Sequence, residues 1–192
     1  TTQIAAFTAS TISGLSTSNI QSLSTSQFQS FTILGISELI AVQTPYISSA
    51  DIFVLSTAQF QAFTTSAISG ITTLNIMVLS TAQFQAFTSE QILGLTSIQV
   101  SAIETSDITV LSSIQIASFT TSAVSGLKTA QIRAFTTDGI LGLTSIQTPN
   151  IKVNYISILS SVQITAFTAS AVSGLTTLNI MALSTNQFQA FT

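Results

Sequence analysis

The chain has 192 residues, three basic and six acidic side chains, a net charge of −3, and neither cysteine nor histidine. This inventory removes the thiol nucleophile, the commonest general base and the usual transition-metal ligands. With so few cations there is no patch to neutralise phosphates, so nucleic acid and anionic membrane surfaces are not expected as partners.

Cut every eight residues from Thr1, the sequence divides without remainder into twenty-four octads (24 × 8 = 192), most of them variants of Thr-Ala-Gln-Phe-Gln-Ala-Phe-Thr. It is read as one repeat array over residues 1–192, whose units contact mainly their neighbours and whose function belongs to the repeated surface. The fourth residue is Ile, Val or Phe in 22 octads, the seventh is Leu, Ile or Phe in all 24, and the eighth is Ser or Thr in 20. Ile40, Glu104, Lys128 and Lys152 are the eighth-position departures. The sixth residue is usually Ala, Gly or Ser, small enough to let backbones approach closely. Large apolar residues three and then five apart share one face of a helix, whereas a strand would send the first pair to opposite faces. One continuous helix also fails, because its apolar stripe would rotate by roughly 80° per octad. The array must therefore break and restart.

Along the chain, residues 1–32 form a four-octad block that returns at 57–88 and 161–192. Gln43-Thr44-Pro45 interrupts the pattern. Thr44 replaces the apolar fourth residue, and the proline after it biases it away from helix, which predicts a corner or kink. With Tyr46 beside it, a recognition loop is the functional alternative. Helix starts are clearest at Leu55-Ser56-Thr57-Ala58-Gln59-Phe60, Leu79-Ser80-Thr81-Ala82-Gln83-Phe84 and Leu183-Ser184-Thr185-Asn186-Gln187-Phe188. In each, Ser is the N-cap, Gln three residues on completes a capping box, and the flanking Leu and Phe form a hydrophobic staple. This leaves about six or seven residues per helix, too few to persist alone, so stacking must hold them. Residues 89–136 and 137–184 form a longer duplication that puts Glu104 and Lys152 in equivalent places, where opposite charges meet if the copies stack. A second corner, Gln147-Thr148-Pro149, has Tyr155 nearby. Phe recurs at the seventh position at Phe7, Phe31, Phe63, Phe87, Phe119, Phe135, Phe167 and Phe191. A superhelical turn of about three to three and a half octads would align these rings in a ladder.

The capping signal favours an all-α repeat solenoid of very short capped helices, one per octad. The alternative is a β-solenoid with about sixteen residues per coil, which the β-branched and aromatic composition would suit. No catalytic, cofactor-binding or metal-binding residue is assigned, no cofactor is implied, and an enzyme is not expected. Of the six carboxylates, Glu38, Asp51, Glu90, Glu104, Asp107 and Asp138, only Glu104 and Asp107 lie three apart, without the Asp/Asn ladder of a calcium loop. Six of the eight glycines (Gly14, Gly70, Gly94, Gly126, Gly142, Gly174) occupy the sixth position, as packing or helix-end glycines rather than a phosphate loop. Polar residues punctuate every octad, so no membrane span is expected, and no signal peptide is evident.

The motif Leu-Ser/Thr-Thr-x-Gln-Ile/Phe-x-Ala-Leu/Phe, as in Leu79 to Phe87, resembles the long Thr/Ser-rich octad tracts of very large exported bacterial surface proteins, often described as adhesin-like. The resemblance spans the whole chain. It departs in the many Phe residues and in lacking glycine-aspartate calcium nonapeptides. It implies export and a passive, extended, extracellular role, and it transfers no functional residues. Both ends read as consensus octads, which predicts end-to-end assembly or membership of a longer array. The expected function is a structural protein, an extracellular or cell-surface fibre or stalk that self-associates into a filament. An adhesin that displays the variable fifth position and the interruption at 43–46 to a surface glycan or protein ligand is the alternative. Ice or polysaccharide binding by Ser/Thr rows at the eighth and first positions is the lesser one.

Overall fold

A hydroxyl followed three residues later by an amide is enough to start a helix, and most octads carry this pair. The computed structural model describes residues 9–191; over them the chain forms twenty-one α-helices of four to six residues and two 3-10 turns, with no strand. Helices occupy the first to fifth octad positions, as in Thr57–Gln61, Thr81–Gln85 and Ser89–Leu93. Ser80, extended at φ −73° and ψ 154°, accepts from the Gln83 N–H at 3.3 Å, and Gln83 Oε1 accepts from the Ser80 N–H at 2.8 Å. The same capping box forms at Ser56 and Ser184, the other two places where it is expected.

Among the described residues four helices reach the expected six residues and the others are shorter, at four or five. The sixth residue is still right-handed helical, as at Ala86 (φ −82°, ψ −7°), but the seventh swings out to extended backbone, as at Leu23 (φ −66°, ψ 135°). Its N–H nevertheless reaches the fourth carbonyl, as Phe87 reaches Phe84 at 3.2 Å. The β-favouring composition is overridden because capping closes the first turn locally, while stacking buries the Ile and Phe side chains whatever backbone carries them.

The chain divides into two compact units, Thr1–Leu95 and Thr96–Thr192, and the same construction rules hold inside each. Helices three octads apart pack on one another. In the first unit Thr65–Gly70 lies on Ser89–Leu93, and in the second Ser97–Ser101 lies on Thr121–Gly126. The bonds between turns run from the third octad position. Gln91 Nε2 donates to the carbonyls of Phe60 (2.8 Å) and Phe63 (3.0 Å), 31 and 28 residues earlier. Gln131 repeats this on Val100 (2.7 Å) and Ile103 (2.8 Å), and Gln187 on Ile156 (3.0 Å) and Leu159 (2.8 Å). One turn of the solenoid is thus about 28 residues, or three and a half octads (28/8), the upper end of the expected range.

Inside each unit the fourth and seventh residues form the core. Phe60 and Phe84 are 0% exposed, whereas Phe188, in the last described turn, is 57% exposed. Burial therefore comes from the turn stacked above and not from the octad itself. Rings meet across a turn at Phe60–Phe87 (4.9 Å between centroids) and Phe167–Phe191 (6.3 Å). The aromatic row thus mixes fourth-position with seventh-position rings, where seventh-position rings alone were expected; Phe7 lies outside the described residues. Close approach falls to the sixth position, where a methyl group on Gly94 would overlap the Thr65 carbonyl and one on Gly142 the Ser113 carbonyl.

Shorter side chains at the third position do less. Asn75 Nδ2 reaches a single carbonyl, Ile47 at 2.9 Å, 28 residues back. Asp51 stands in the same register and is 4% exposed; one carboxylate oxygen accepts from Ser48 Oγ at 2.7 Å, and the other, Oδ1, has no partner. The register brings it towards the carbonyl of Leu23, and a carboxylate facing a carbonyl has nothing to donate. Replacing Asp51 by Asn keeps the cap acceptor and supplies the missing donor. Asp51→Asn is expected to raise stability by about 1–3 kcal/mol, the cost of an unsatisfied buried group, read as a higher melting temperature by circular dichroism. Gln91→Glu should do the opposite. It keeps the capping box but loses both donors to Phe60 and Phe63, for an expected loss of about 2–4 kcal/mol. Gln61→Glu, at an exposed rung where Gln61 Nε2 meets the Ala86 carbonyl at 2.9 Å, should cost under about 1 kcal/mol.

Candidate interaction surface

With the fourth and seventh residues inside and the third bonded to the preceding turn, the second and fifth positions face outward. At the second position Leu34, Leu74, Ile98, Ile114, Ile146 and Leu178 are exposed, and at the fifth Phe53, Met77, Leu93, Leu141 and Met181. The fifth position is where a display surface is expected from the sequence. The second was not singled out, because Ser, Ala, Glu and Asp also occur there and hide the apolar subset.

The two Thr-Pro interruptions anchor the most developed part of this surface. Pro45 has no N–H, so the chain tightens into a 3-10 turn at Thr44–Tyr46, and Thr148–Asn150 does the same. They are kinks, as expected, but the octad register survives them: Thr44 and Thr148 stay fully buried at the fourth position. Each hydroxyl donates at 2.9 Å to the next turn, Thr44 to the Ala67 carbonyl and Thr148 to the Ala171 carbonyl. Ala stands there in place of the ladder Gln, and Gly70 and Gly174 leave no room for a methyl group against the same hydroxyls. The threonines are structural keys. What the kink presents outward is Pro45 and Tyr46.

A shallow groove of about 270 Å³ opens beside them in the first unit, bordered by Gln21, Pro45, Tyr46, Ser49, Leu74 and Asn75. Its polar wall is largely committed, since Ser49 Oγ donates to Asn75 Oδ1 (3.1 Å) and Asn75 donates to Ile47. Its free part is apolar and aromatic, Tyr46 at 42% and Leu74 at 65% exposure. The corner recurs in the sequence 104 residues later (149 − 45, thirteen octads), with Leu178 and Met181 in the places of Leu74 and Met77 but Asn150 in that of Tyr46. Tyr155, paired with this corner in the sequence reading, points inward instead: it is buried, and Lys152 Nζ donates to its hydroxyl at 3.4 Å. A larger groove of about 440 Å³ in the second unit is lined by Ile164, Phe167, Val172 and Phe191, the incompletely covered core of the last described turn.

The charged residues are not gathered into a chemical centre. Glu104 is exposed while Asp107, three residues on, is buried, so the pair does not share a surface. Lys152 turns to Tyr155 of the following octad, and no ion pair joins it to Glu104 among the described residues. Lys128, at an N-cap position, cannot accept a hydrogen bond; its N–H donates to Gln131 Oε1 at 2.7 Å, so half of the capping box remains. Asp138 accepts at 3.0 Å from the N–H of Ser113, the first residue of the helix Ser113–Ala117. No helix among the described residues is long and apolar enough to cross a membrane.

Residues 100–137 match a family model described as the ALTTAQ repeat. No curated protein and no solved structure matches the chain. The matched stretch and the short-helix stacking on both sides of it agree that this is a repeat protein with an all-α solenoid architecture.

Proposed function

We propose that the chain is a non-catalytic structural protein, an extracellular or cell-surface fibre or stalk in which octad arrays join into a filament or run on in a longer array. The observation that carries this reading is the third-position ladder. Its donors point one way along each unit and its acceptors the other, at a constant offset of 28 residues, so each turn offers the next the same complementary face. Such a stack gains length at constant cross-section, and its stability is a sum over neighbouring turns. The residues that could do chemistry are few and dispersed, which supports a passive role. The resemblance to exported octad tracts supports the extracellular placement.

The paired Thr-Pro corners favour a second reading, ligand display by an adhesin, because both units present an apolar patch of the same design at Leu74 and Met77 and at Leu178 and Met181. Ice or polysaccharide binding has less support. The eighth-position hydroxyls that would form its rows are engaged as caps, as Ser56, Ser80 and Thr88 show. Negative-stain electron microscopy of the intact polypeptide separates the first two. Uniform filaments much longer than one chain are expected, and discrete short particles at all concentrations would shift the assignment to display. In an ice-recrystallisation assay no inhibition is expected.

A further inference from the structure

The basic side chains of this sparsely charged protein are confined to one of its two units. Every basic residue, Lys128, Arg133 and Lys152, belongs to the second unit, and the first holds only acids: Glu38, Glu90 and the buried Asp51. Within each unit these charges, the buried Asp51 apart, lie near one another in turn register. Lys128 and Lys152 are 24 residues apart, four short of the 28-residue turn, and Arg133 lies on the helix Thr129–Ala134 that Lys128 precedes. Glu38 and Glu90 are 52 residues apart, four short of two turns. Glu90, Lys128, Arg133 and Lys152 are exposed and Glu38 is half-buried.

Their surroundings match as well. Along the chain Glu38 is flanked by Ile33, Leu34 and Ile40, and Glu90 by Leu93, all exposed apolar side chains. The basic side carries Val153 beside Lys152, and Val162 on the helix whose Gln163 bonds the Arg133 carbonyl at 3.2 Å. Three of the four positions that give up a cap hydroxyl, Ile40, Lys128 and Lys152, lie on these two surfaces and are exposed there. A cap hydroxyl stabilises its helix. The hydroxyl is given up for an exposed side chain on these surfaces, with Glu104, also exposed, the one acidic exception in the Lys128 column, and this points to a role outside the fold.

We propose that copies of this chain join head to tail, the acid-rimmed apolar surface of one copy's first unit around Glu38 and Glu90 docking on the base-rimmed surface of the next copy's second unit around Lys128, Arg133 and Lys152. This rests on the self-assembly reading above and names its contact. An interface of this kind has an apolar centre and a charged rim. The rim sets partner choice, register and on-rate more than affinity. Because the two surfaces differ, the contact is heterologous and propagates instead of closing into a two-fold dimer. Two residues temper the basic side: Glu104 stands 24 residues before Lys128 in the same column, and one Asp138 oxygen is held by the Ser113 N–H.

The test is sedimentation velocity on the full chain, with circular dichroism to confirm each variant is folded. Association of the natural chain should weaken about tenfold or more between about 0.1 M and about 1 M salt, as the screening length falls from ~10 Å to ~3 Å. The triple variant Lys128→Glu/Arg133→Glu/Lys152→Glu and the double variant Glu38→Lys/Glu90→Lys should each fail to self-associate. Mixed together they should associate again, since each then meets its opposite. Should Glu38→Lys unfold the half-buried site, Glu90→Lys alone serves as the acidic-side variant. Failure of the mixture to recover association would overturn the proposal, as would association indifferent to both variants. Filaments that persist in both variants would sink this contact and leave the fibre reading standing; charge-dependent association that stops at small closed particles would do the reverse.

Discussion

A single carboxamide at the third octad position does two jobs that the fold cannot separate. Its oxygen accepts the cap N–H of its own helix while its nitrogen donates to the preceding turn, so starting a helix and placing it on the stack are one event. In Gln91 the oxygen serves Thr88 at 3.0 Å and the nitrogen serves Phe60 and Phe63, with the backbone N–H closing on Thr88 Oγ1 at 3.2 Å. Isolated helices of this length do not form in water. Here none is isolated, because the group that caps it is the group that docks it.

This economy carries a hazard that the departures from consensus answer. A uniform array is chemically indifferent to a slip of eight residues, since every turn offers the same donors, acceptors and apolar rows. Thr44 fits Ala67 and Gly70, and Thr148 fits Ala171 and Gly174: a hydroxyl reaching a carbonyl where no glutamine competes, beneath a residue with no side chain to block it. One such set in each unit pins the alignment of turns. An array of otherwise interchangeable octads needs these exceptions to have one native register.

What could be read from the sequence divides along the same line between local and distant. Ser80 and Gln83 lie three residues apart, so their capping box follows from spacing alone and favours short helices over the β-solenoid that the composition leaves open. The other half of Gln83's role, donation to Ile52 and Leu55 at 3.1 Å each, spans 31 and 28 residues and leaves no mark in an octad beyond the preference for Gln itself. Tyr46 and Tyr155 illustrate the limit. Both sit near a proline corner, but Tyr46 is at the sixth position, beside the groove, and Tyr155 is at the third, where side chains turn to the neighbouring turn. The octad position decided the outcome, not proximity to the corner. Asp51 and Asp107 are likewise placed inside by their third-position register, although acidic residues alone would be read as surface.

The surface then acquires meaning by contrast with that interior. Inside, the fourth and seventh positions are so constrained that most exposed apolar variation falls at the second and fifth, plus the few cap positions where a hydroxyl has been given up. Lys128 and Lys152 weaken the start of their own helices and gain nothing in the core, since both are exposed, as is Ile40 before the turn at 41–43. A mutation that destabilises without an internal return persists only if the surface it alters is used. In a chain with three cations in all, putting two of them at lost caps 24 residues apart concentrates a scarce resource on one side of one unit. A structural array that served purely as inert length would have kept the hydroxyls.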